Sequence, residues 1–541
     1  MLAAIIAITL SPNTPELKDL DVPRLYADLP NADLVEPNAR LHPAEPYVWV
    51  VDPGRDFVVR AEITQDADLA LLTVWDWNVR AVAQQRLDVP CDRSIAFQVE
   101  GRGTYLLTLD LFDGDECMSR LVRSFSVCPD SRPKRELWKT DEFMLGTCSF
   151  PGREHWTNDF GDGIPDGLTE QQTREIDAEL SARLGLQIVR PDISATWASE
   201  DVEIDFTRCD AALGAWTSRG FKLDLQVGRP PAEWAILPKY ADVTDPKWRY
   251  PRKEGPSRRW TREVVSRYAK DAAYIELYNE PDNRDFWRGT PEEFVEWTKW
   301  AAEEAREAAP GVPIVNGGYC MIEPEWTGIF ARELRGVLDG VSYHSHGDVG
   351  NLEPMLEAMR AVHSAAGYEE PFFINTEMGY AAWRYDIERL QASTAMQKVL
   401  YCWAHGNKAA LLYCSRSGGG PRLIKGDPDW GHIDHFMCPR FMYGAIAGLV
   451  DWYAGASYES TLIENAQKHA YLFKADGRLI VGAYSPRSTQ PITLTSDAES
   501  ALLIDPMGNA SPLDDAARVE LKVGAYPTTV VFEGATKVET E

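Results

Sequence analysis

The sequence predicts an α/β protein in which a (β/α)8 TIM barrel is flanked by an N-terminal and a C-terminal β-sandwich. Three observations lead to this fold class. Short alternating strands occupy the first part of the chain, strand and helix patterns alternate through its middle, and short strands return at its end. At 541 residues the chain is long enough for several domains, and a hydrophobic content of 44% supplies packed cores.

Residues 1–35 are predicted to be an N-terminal segment that combines a signal peptide with a lead-in to the first domain. The apolar run Met1–Leu10 resembles the core of a short signal peptide, although no Lys or Arg precedes it. We therefore expect a secreted or periplasmic protein, with a cytoplasmic location as the alternative. No other run approaches the 18 or so apolar residues of a membrane span.

Residues 36–136 are predicted to form the N-terminal β-sandwich and its linker. Alternating apolar residues separated by Gly, Pro and Asp are typical of sandwich strands. The Pro-, Arg- and Lys-rich stretch 129–136 is interpreted as the linker. The predicted strands are Tyr47–Val51, Phe57–Ile63, Leu69–Val74, Ser94–Val99 and Tyr105–Leu111.

Residues 137–455 are predicted to form the catalytic barrel, because eight strand patterns alternate with amphipathic helix patterns. A doubly wound sheet is the competing arrangement, but no glycine-rich phosphate loop follows the first strand. The predicted strands are 143–149, 186–190, 221–227, 273–279, 312–316, 339–344, 371–376 and 408–414. The predicted helices include Glu170–Leu184, Arg262–Tyr268, Pro291–Ala308, Leu352–Ala365, Leu390–His405 and Phe436–Leu449.

Residues 456–541 are predicted to be the C-terminal β-sandwich, since short strand patterns resume after the last helix. These patterns lie at Ala470–Phe473, Leu479–Tyr484, Ile492–Leu494, Ala501–Ile504 and Thr528–Phe532.

Charge and cysteine content narrow the classes of partner and cofactor. The formal net charge of −28 argues against a nucleic acid or an anionic membrane as partner. The nine cysteines show neither a CxxC pair nor a regular spacing, so neither a disulfide framework nor a structural zinc site is predicted. No catalytic metal and no other cofactor is expected.

Two glutamates end strand-like runs in the predicted barrel. Glu280 follows Tyr274–Asn279 and precedes Pro281, which cannot donate to a strand ladder, and Glu377 ends Pro371–Thr376 shortly before a glycine. About three βα units of roughly 30 residues separate them, so they belong to strands 4 and 7. Catalytic groups of such barrels lie at the C-terminal strand ends. A pair of carboxylates there suits cleavage of a glycosidic bond, one as acid and one as nucleophile.

These motifs resemble those of the retaining glycoside hydrolases of clan A, and the pattern of the chain is most similar to families 39 and 5. The resemblance covers most of the barrel and rests on Arg267-Tyr268, on Ile275-Glu276-Leu277-Tyr278-Asn279-Glu280-Pro281, on Asp339-Gly340-Val341-Ser342-Tyr343-His344 and on Asn375-Thr376-Glu377-Met378-Gly379. It implies a carbohydrate substrate, with Glu280 as acid/base and Glu377 as nucleophile. It further implies that Asn279 hydrogen-bonds the sugar 2-hydroxyl and the nucleophile, and that Arg190 holds the nucleophile ionised.

The resemblance breaks down at two strands. Clan members usually place a tyrosine two residues after the strand-6 histidine, whereas this chain has His344-Ser345-His346. His346 replaces that tyrosine, or Tyr343 turns inward instead. Tyr413, Trp403 or Trp430 is expected to replace the usual strand-8 tryptophan. Trp156 and His155, in the loop after strand 1, are further candidates for contact with substrate.

Three further patterns leave alternatives open. His344 and His346 also match a metal pair, because alternate residues of a strand point the same way. The loop 159–167 has the oxygen spacing of a calcium loop without its closing glutamate, or is a turn-rich cap. The third pattern is an arginine-rich rim that either is solvated or recognises an anionic glycan. It comprises Arg229, Arg252, Arg258, Arg259, Arg284, Arg288, Arg416 and Arg422.

The predicted function is that of a retaining glycoside hydrolase, an O-glycosidase acting on β-glycosidic bonds of plant or algal-type oligo- or polysaccharides. A carbohydrate-binding barrel that has lost catalysis is the first alternative, and the intact pair of glutamates argues against it. A metal-dependent barrel hydrolase is the second alternative.

Overall fold

The computed structural model describes residues 37–44, 48–138, 141–150, 164–165, 167–322, 324–368, 371–382, 388–417 and 430–541. The signal-peptide prediction falls on residues outside these ranges, and so does most of the loop 159–167, for which a calcium loop and a turn-rich cap were the alternatives.

The N-terminal part is a β-sandwich, as predicted. One sheet has the order β1-β3-β6 and the other the order β2-β8-β7-β4-β5. Burial alternates strictly along β3, because one face of that strand meets the core and the other meets solvent. The strands are β1 (Ala39–Pro43), β2 (Val50–Val51), β3 (Phe57–Ile63), β4 (Leu69–Trp75), β5 (Ala81–Leu87), β6 (Cys91–Phe97), β7 (Gly103–Asp113) and β8 (Glu116–Val127).

The middle of the chain is a closed barrel of eight parallel strands in sequence order, which confirms the predicted fold class. The strands are β9 (Met144–Ser149), β10 (Ile188–Pro191), β11 (Lys222–Val227), β12 (Ala272–Leu277), β13 (Ile314–Asn316), β14 (Gly340–His344), β15 (Phe372–Gly379) and β16 (Asn407–Tyr413). All six residues of β9 are buried, as expected of a parallel strand that is covered on both faces.

Eight helices accompany the barrel strands among the described residues. They are α1 (Glu170–Arg183), α2 (Thr207–Thr217), α3 (Glu254–Tyr268), α4 (Pro291–Ala308), α5 (Pro324–Glu333), α6 (Val349–Ala365), α7 (Glu388–Ala404) and α8 (Phe441–Tyr453). The start of α4 follows from its sequence, since Thr290 and Glu293 form a capping box and Pro291 occupies the first helical position.

The C-terminal part is a second sandwich, again as predicted. Its sheets have the orders β17-β18-β19-β24-β21-β22 and β23-β20-β25. The strands are β17 (Ser457–Glu464), β18 (His469–Ala475), β19 (Arg478–Tyr484), β20 (Gln490–Ser496), β21 (Ser500–Ile504), β22 (Ala510–Pro512), β23 (Arg518–Val523), β24 (Thr528–Glu533) and β25 (Val538–Thr540).

Both sandwiches contact the barrel on the side of α7 and α8. Thr104 Oγ1 of the first sandwich donates to the carbonyl of Arg440, 3.0 Å away. Trp403 of α7 packs on Phe473 of the second sandwich, with ring centroids 4.6 Å apart. Trp403 is therefore part of the core behind the barrel, and the expectation that it forms a sugar platform is wrong.

Several element bounds differ from the predictions. Strand β12 ends at Leu277, two residues before the predicted end, and α3 begins at Glu254 instead of Arg262. The last barrel helix is shifted towards the C-terminus, because residues 436–440 form the turn that precedes it. Strand β5 lies at a sheet edge and most of its residues are exposed, so its sequence lacks the alternation used for prediction. No helix in the described ranges is long and apolar enough to cross a membrane.

Candidate active site

Glu280 lies on a turn just beyond β12 that backbone and side-chain hydrogen bonds hold in place. Tyr278 and Glu280 adopt positive φ angles of 86° and 45°, which residues other than glycine seldom do. The Glu280 backbone N–H donates to the carbonyl of Gly317, 2.5 Å away. Asp282 is buried, and its carboxylate accepts hydrogen bonds from three successive backbone N–H groups beyond β13, those of Cys320, Met321 and Ile322. These bonds hold the carboxyl group of Glu280 over the mouth of the barrel.

Glu377 lies within β15, and its side chain is surrounded by cationic groups and hydrogen-bond donors. Arg190 Nη1 lies 2.5 Å from Oε1, while His346 Nε2 lies 3.3 Å and His344 Nδ1 3.4 Å from Oε2. Burial by itself would raise the pKa of Glu377, but the charges of His344 and Arg190 and the hydrogen bond from His346 outweigh it. They hold the pKa well below its usual range. Glu377 is therefore an ionised carboxylate.

His344 connects the two glutamates. Its Nδ1 lies 2.8 Å from Glu280 Oε1 as well as 3.4 Å from Glu377 Oε2. Burial of this ring lowers its pKa, but the charges of Glu377 and Glu280 more than compensate, so the pKa of His344 is raised. The ring fits because residue 318 is a glycine: a Cβ there would lie 2.0 Å from His344 Nε2.

The two carboxyl groups lie close together. The ligand atoms of Glu280, His344, His346 and Glu377, one from each residue, all lie within 4.8 Å of one another. Glu280 Oε2 accepts a hydrogen bond from Asn283 Nδ2 at 3.0 Å, so both oxygens of Glu280 have partners. A sugar that enters the barrel mouth would therefore meet two carboxyl groups in different electrostatic surroundings.

A charged layer inside the barrel supports Glu377 from below. Arg190 is buried and donates through Nε to the buried carboxylate of Glu276, which also accepts hydrogen bonds from Ser342 Oγ at 2.6 Å and Thr376 Oγ1 at 2.9 Å. Burial together with the charge of Glu276 raises the pKa of the nearby Asp224 well above its usual range. Arg190 therefore stays charged and is fixed in place by two carboxylates.

Asn279 is held in one orientation. Its Oδ1 accepts hydrogen bonds from Arg190 Nη2 at 2.7 Å and from Gln226 Nε2 at 3.1 Å. Because the carbonyl end of the amide is occupied in this way, its nitrogen is the end that can donate to a sugar hydroxyl.

One side of the site is an aromatic wall formed by His346, Tyr413 and Trp430. The His346 ring meets the rings of Tyr413 and Trp430 edge to face, with centroids 5.3 and 5.2 Å apart. A Cβ at Gly379 would lie 2.7 Å from His346 Nδ1 and 2.8 Å from Trp430, so only glycine lets these rings approach β15. Such half-buried rings are suited to packing on a sugar.

A buried lysine lies behind this wall. Lys398 of α7 donates through Nζ to the carbonyls of Ser345 at 2.6 Å and Gly379 at 3.2 Å. These carbonyls belong to the chain segments that carry His346 and Glu377. Burial lowers the pKa of Lys398 to about 7.

The structure brings most of the predicted site residues together. Glu280, Glu377, Asn279, Arg190, His344, His346 and Tyr413 all lie at the barrel mouth. Arg284 is exposed and lies in the loop after β12, where its Nη1 donates to the carbonyl of Gly289 at 3.0 Å and its guanidinium lies 5.4 Å from the Trp326 ring centre. Trp156 and His155 lie outside the described residues.

The roles predicted for Tyr343 and for part of the arginine rim need correction. Tyr343 is fully buried and its hydroxyl donates to Asn407 Oδ1 at 2.9 Å, so it points away from the barrel mouth towards α7. The alternation that turns His344 and His346 inward turns Tyr343 outward. Arg252 and Arg416 are buried too, so neither is part of an exposed rim.

Sequence reasoning missed Glu276, Asp282, Lys398 and the two glycines Gly317 and Gly318. The glycine pair directly after a strand is the one signal that was available, because it indicates close approach of backbone. The ionic residues Glu276, Asp282 and Lys398 gave no such signal, because their partners lie 38 or more residues away in the sequence or on other elements.

Comparison with solved structures finds similar folds. A family 39 glycoside hydrolase from the gut symbiont Bacteroides cellulosilyticus WH2 matches with a TM-score of 0.67 and 16% identity, over 91% of this chain and 100% of that one. A family 39 β-xylosidase from Caulobacter crescentus matches with a TM-score of 0.49 and 14% identity, over 72% of this chain and 96% of that one. No protein-family model and no curated protein matches the chain. At such identity the first similarity establishes a shared fold.

Proposed function

We propose that the protein is a retaining glycoside hydrolase that cleaves β-glycosidic bonds of oligo- or polysaccharides by double displacement. In this proposal Glu377 is the nucleophile and Glu280 the acid/base. The observation that carries it is the close, asymmetric carboxylate pair, with facing atoms within 4.8 Å and cationic groups concentrated on one partner. Retaining enzymes have carboxyl groups about 5–5.5 Å apart, whereas inverting enzymes leave about 6.5–9.5 Å for a water molecule.

In the first step the carboxylate of Glu377 attacks the anomeric carbon while Glu280 protonates the departing oxygen. The bond from Glu377 to the sugar forms as the glycosidic bond breaks, so negative charge leaves Glu377 and arises on Glu280. His344 is within reach of both carboxyl groups and can stabilise the charge on either. In the second step Glu280 takes a proton from water, which attacks the same carbon and releases Glu377.

The remaining residues have supporting roles in this proposal. Arg190 keeps Glu377 ionised, the Asn279 amide nitrogen donates to the sugar 2-hydroxyl, and the aromatic wall of His346, Tyr413 and Trp430 packs on the sugar. Export of the protein and the division into the four segments predicted from the sequence are kept as parts of the proposal.

The decisive experiment follows the stereochemistry of the first product by NMR, with a panel of aryl β-glycosides and polysaccharides. Retention is expected, together with loss of turnover in Glu377→Gly, because no covalent intermediate can form. Glu307→Ala, on the exposed side of α4, is the matched control and should behave as wild type.

The variant Glu280→Ala distinguishes the roles of the two carboxylates. The rate of bond cleavage by this variant should fall about 10²–10⁴-fold when the substrate has a poor leaving group. The fall should be much smaller when the leaving group is dinitrophenolate, which departs without a proton. Azide should restore turnover by attacking the glycosyl-enzyme, giving a β-glycosyl azide and releasing Glu377. Inversion of configuration, or a Glu377→Gly variant with wild-type activity, would refute the proposal.

A further inference from the structure

The centre between the two glutamates also has the composition and spacing of a zinc site. Glu280 Oε1, His344 Nδ1, Glu377 Oε2 and His346 Nε2 face one another, with contacts of 2.8, 3.4 and 3.3 Å between successive atoms. Zn²⁺ prefers four tetrahedral N and O ligands at about 2.0–2.2 Å, which places the ligand atoms roughly 3.3–3.6 Å apart. We infer that this centre binds Zn²⁺ and that the bound ion inhibits the enzyme.

The charge around the centre favours a divalent cation. Glu280 and Glu377 contribute one carboxyl group each, and the positive charge that His344 carries between them is given up when the ring binds a metal ion, because a ligating imidazole is neutral. Arg190 binds Glu377 through Oε1, so Oε2 of that carboxylate stays directed towards the two imidazoles. An added dication would offset the remaining negative charge without displacing Arg190.

The surroundings of the two histidines predict reversible binding. Histidine ligands of tightly held metals donate their second N–H to an acceptor, and losing such partners costs about 10–100-fold in affinity. Here His344 Nε2 lies against Gly318 and His346 Nδ1 against Gly379, and neither nitrogen has a hydrogen-bond partner in the described part of the chain. The ion is therefore an exchangeable inhibitor and not a permanent cofactor.

Inhibition follows from the identity of the ligand atoms. Zn²⁺ at this centre would take up lone pairs of Glu377 Oε2 and Glu280 Oε1, the carboxylate oxygens that face each other across His344. Zn²⁺ and a sugar would then compete for the same space. This consequence rests on the proposed hydrolase function, whereas binding of the ion does not.

The test titrates EDTA-stripped enzyme with ZnCl2 by calorimetry and measures hydrolysis of an aryl glycoside at several Zn²⁺ concentrations. We expect one Zn²⁺ per chain, competitive inhibition, and a Kd equal to the inhibition constant. His346→Phe keeps the ring but removes a ligand, and should weaken Zn²⁺ binding at least about tenfold. Glu377→Gln should do the same. His42→Gln removes an exposed imidazole on β1 and should leave both constants unchanged.

Each outcome separates the two proposals. Zn²⁺ binding that His346→Phe and Glu377→Gln both leave unchanged, or the lack of binding by the wild type, overturns the zinc site. Circular dichroism and melting of His346→Phe and a second variant, His346→Asn, exclude misfolding as the cause of lost binding. Binding that both variants weaken, in a protein that hydrolyses no glycoside, supports the site and refutes the hydrolase function. Activation by Zn²⁺ refutes inhibition and favours the metal-dependent hydrolase.

Discussion

Replacing Gly318 by alanine tests whether His344 couples the carboxyl groups of Glu280 and Glu377. A Cβ at this position would lie 2.0 Å from His344 Nε2, whereas ordinary contacts are 3.4–4 Å. The imidazole is 1% exposed, so it has to shift by more than about 1 Å inside a packed barrel. That shift breaks its 2.8 Å contact with Glu280.

The expected loss is about 100-fold in kcat/KM, because a displacement of about 1 Å in a catalytic array costs on that order. This corresponds to about 2.7 kcal/mol of transition-state stabilisation. Gly318 has a φ of 51°, so alanine there also destabilises the fold by roughly 1–2 kcal/mol.

Gly336→Ala separates backbone strain from the collision with His344. Gly336 has a φ of 77°, and no atom lies within 4 Å of the Cβ position. Both variants should melt at lowered temperatures, Gly318→Ala at the lower one because the collision adds to the backbone strain, but only Gly318→Ala should lose activity. The assay compares kcat/KM for nitrophenyl and dinitrophenyl glycosides, with the larger loss expected for the poorer leaving group. If Gly318→Ala stays within about threefold of Gly336→Ala, His344 does not couple the carboxyl groups.

Three further predictions concern pH, metal removal and substrate charge. Between pH 7 and 10.5 the unfolded chain holds a proton on Lys398 that the folded chain has lost. The free energy of unfolding therefore rises with pH in this range. In Lys398→Met that rise should be smaller by up to about 1.4 kcal/mol per pH unit. Dialysis against EDTA should leave kcat unchanged and lower the apparent KM if Zn²⁺ was bound, and a loss of activity that Zn²⁺ restores would contradict a carboxylate mechanism. Arg284→Ala should raise KM for carboxylated or sulfated substrates only, and added salt should raise the KM of the wild type in the same way. An equal rise in KM for neutral substrates would mean that Arg284 only stabilises its loop.

The barrel and its two glutamates were predictable because they depend on local sequence. Glu280 follows an apolar run that a proline ends, and Glu377 has the same setting before a glycine. Strand order in a barrel follows chain order, so the two motifs could be assigned to facing strands. The outward direction of Tyr343 was available from the same alternation and was missed because the resemblance suggested a tyrosine in the site.

The sequence by itself determined where the barrel strands lie to within a few residues and which residues are buried in most of them, because periodicity and turn residues encode those properties over a few positions. The tertiary structure decided which side chains meet. Arg190, Glu276 and Glu377 come from three strands, and His344 reaches both glutamates only because Gly318 on a fourth strand end leaves room for its ring. Closure of the barrel and side-chain packing set such distances, and the electrostatic difference between the two carboxyl groups arises from those distances.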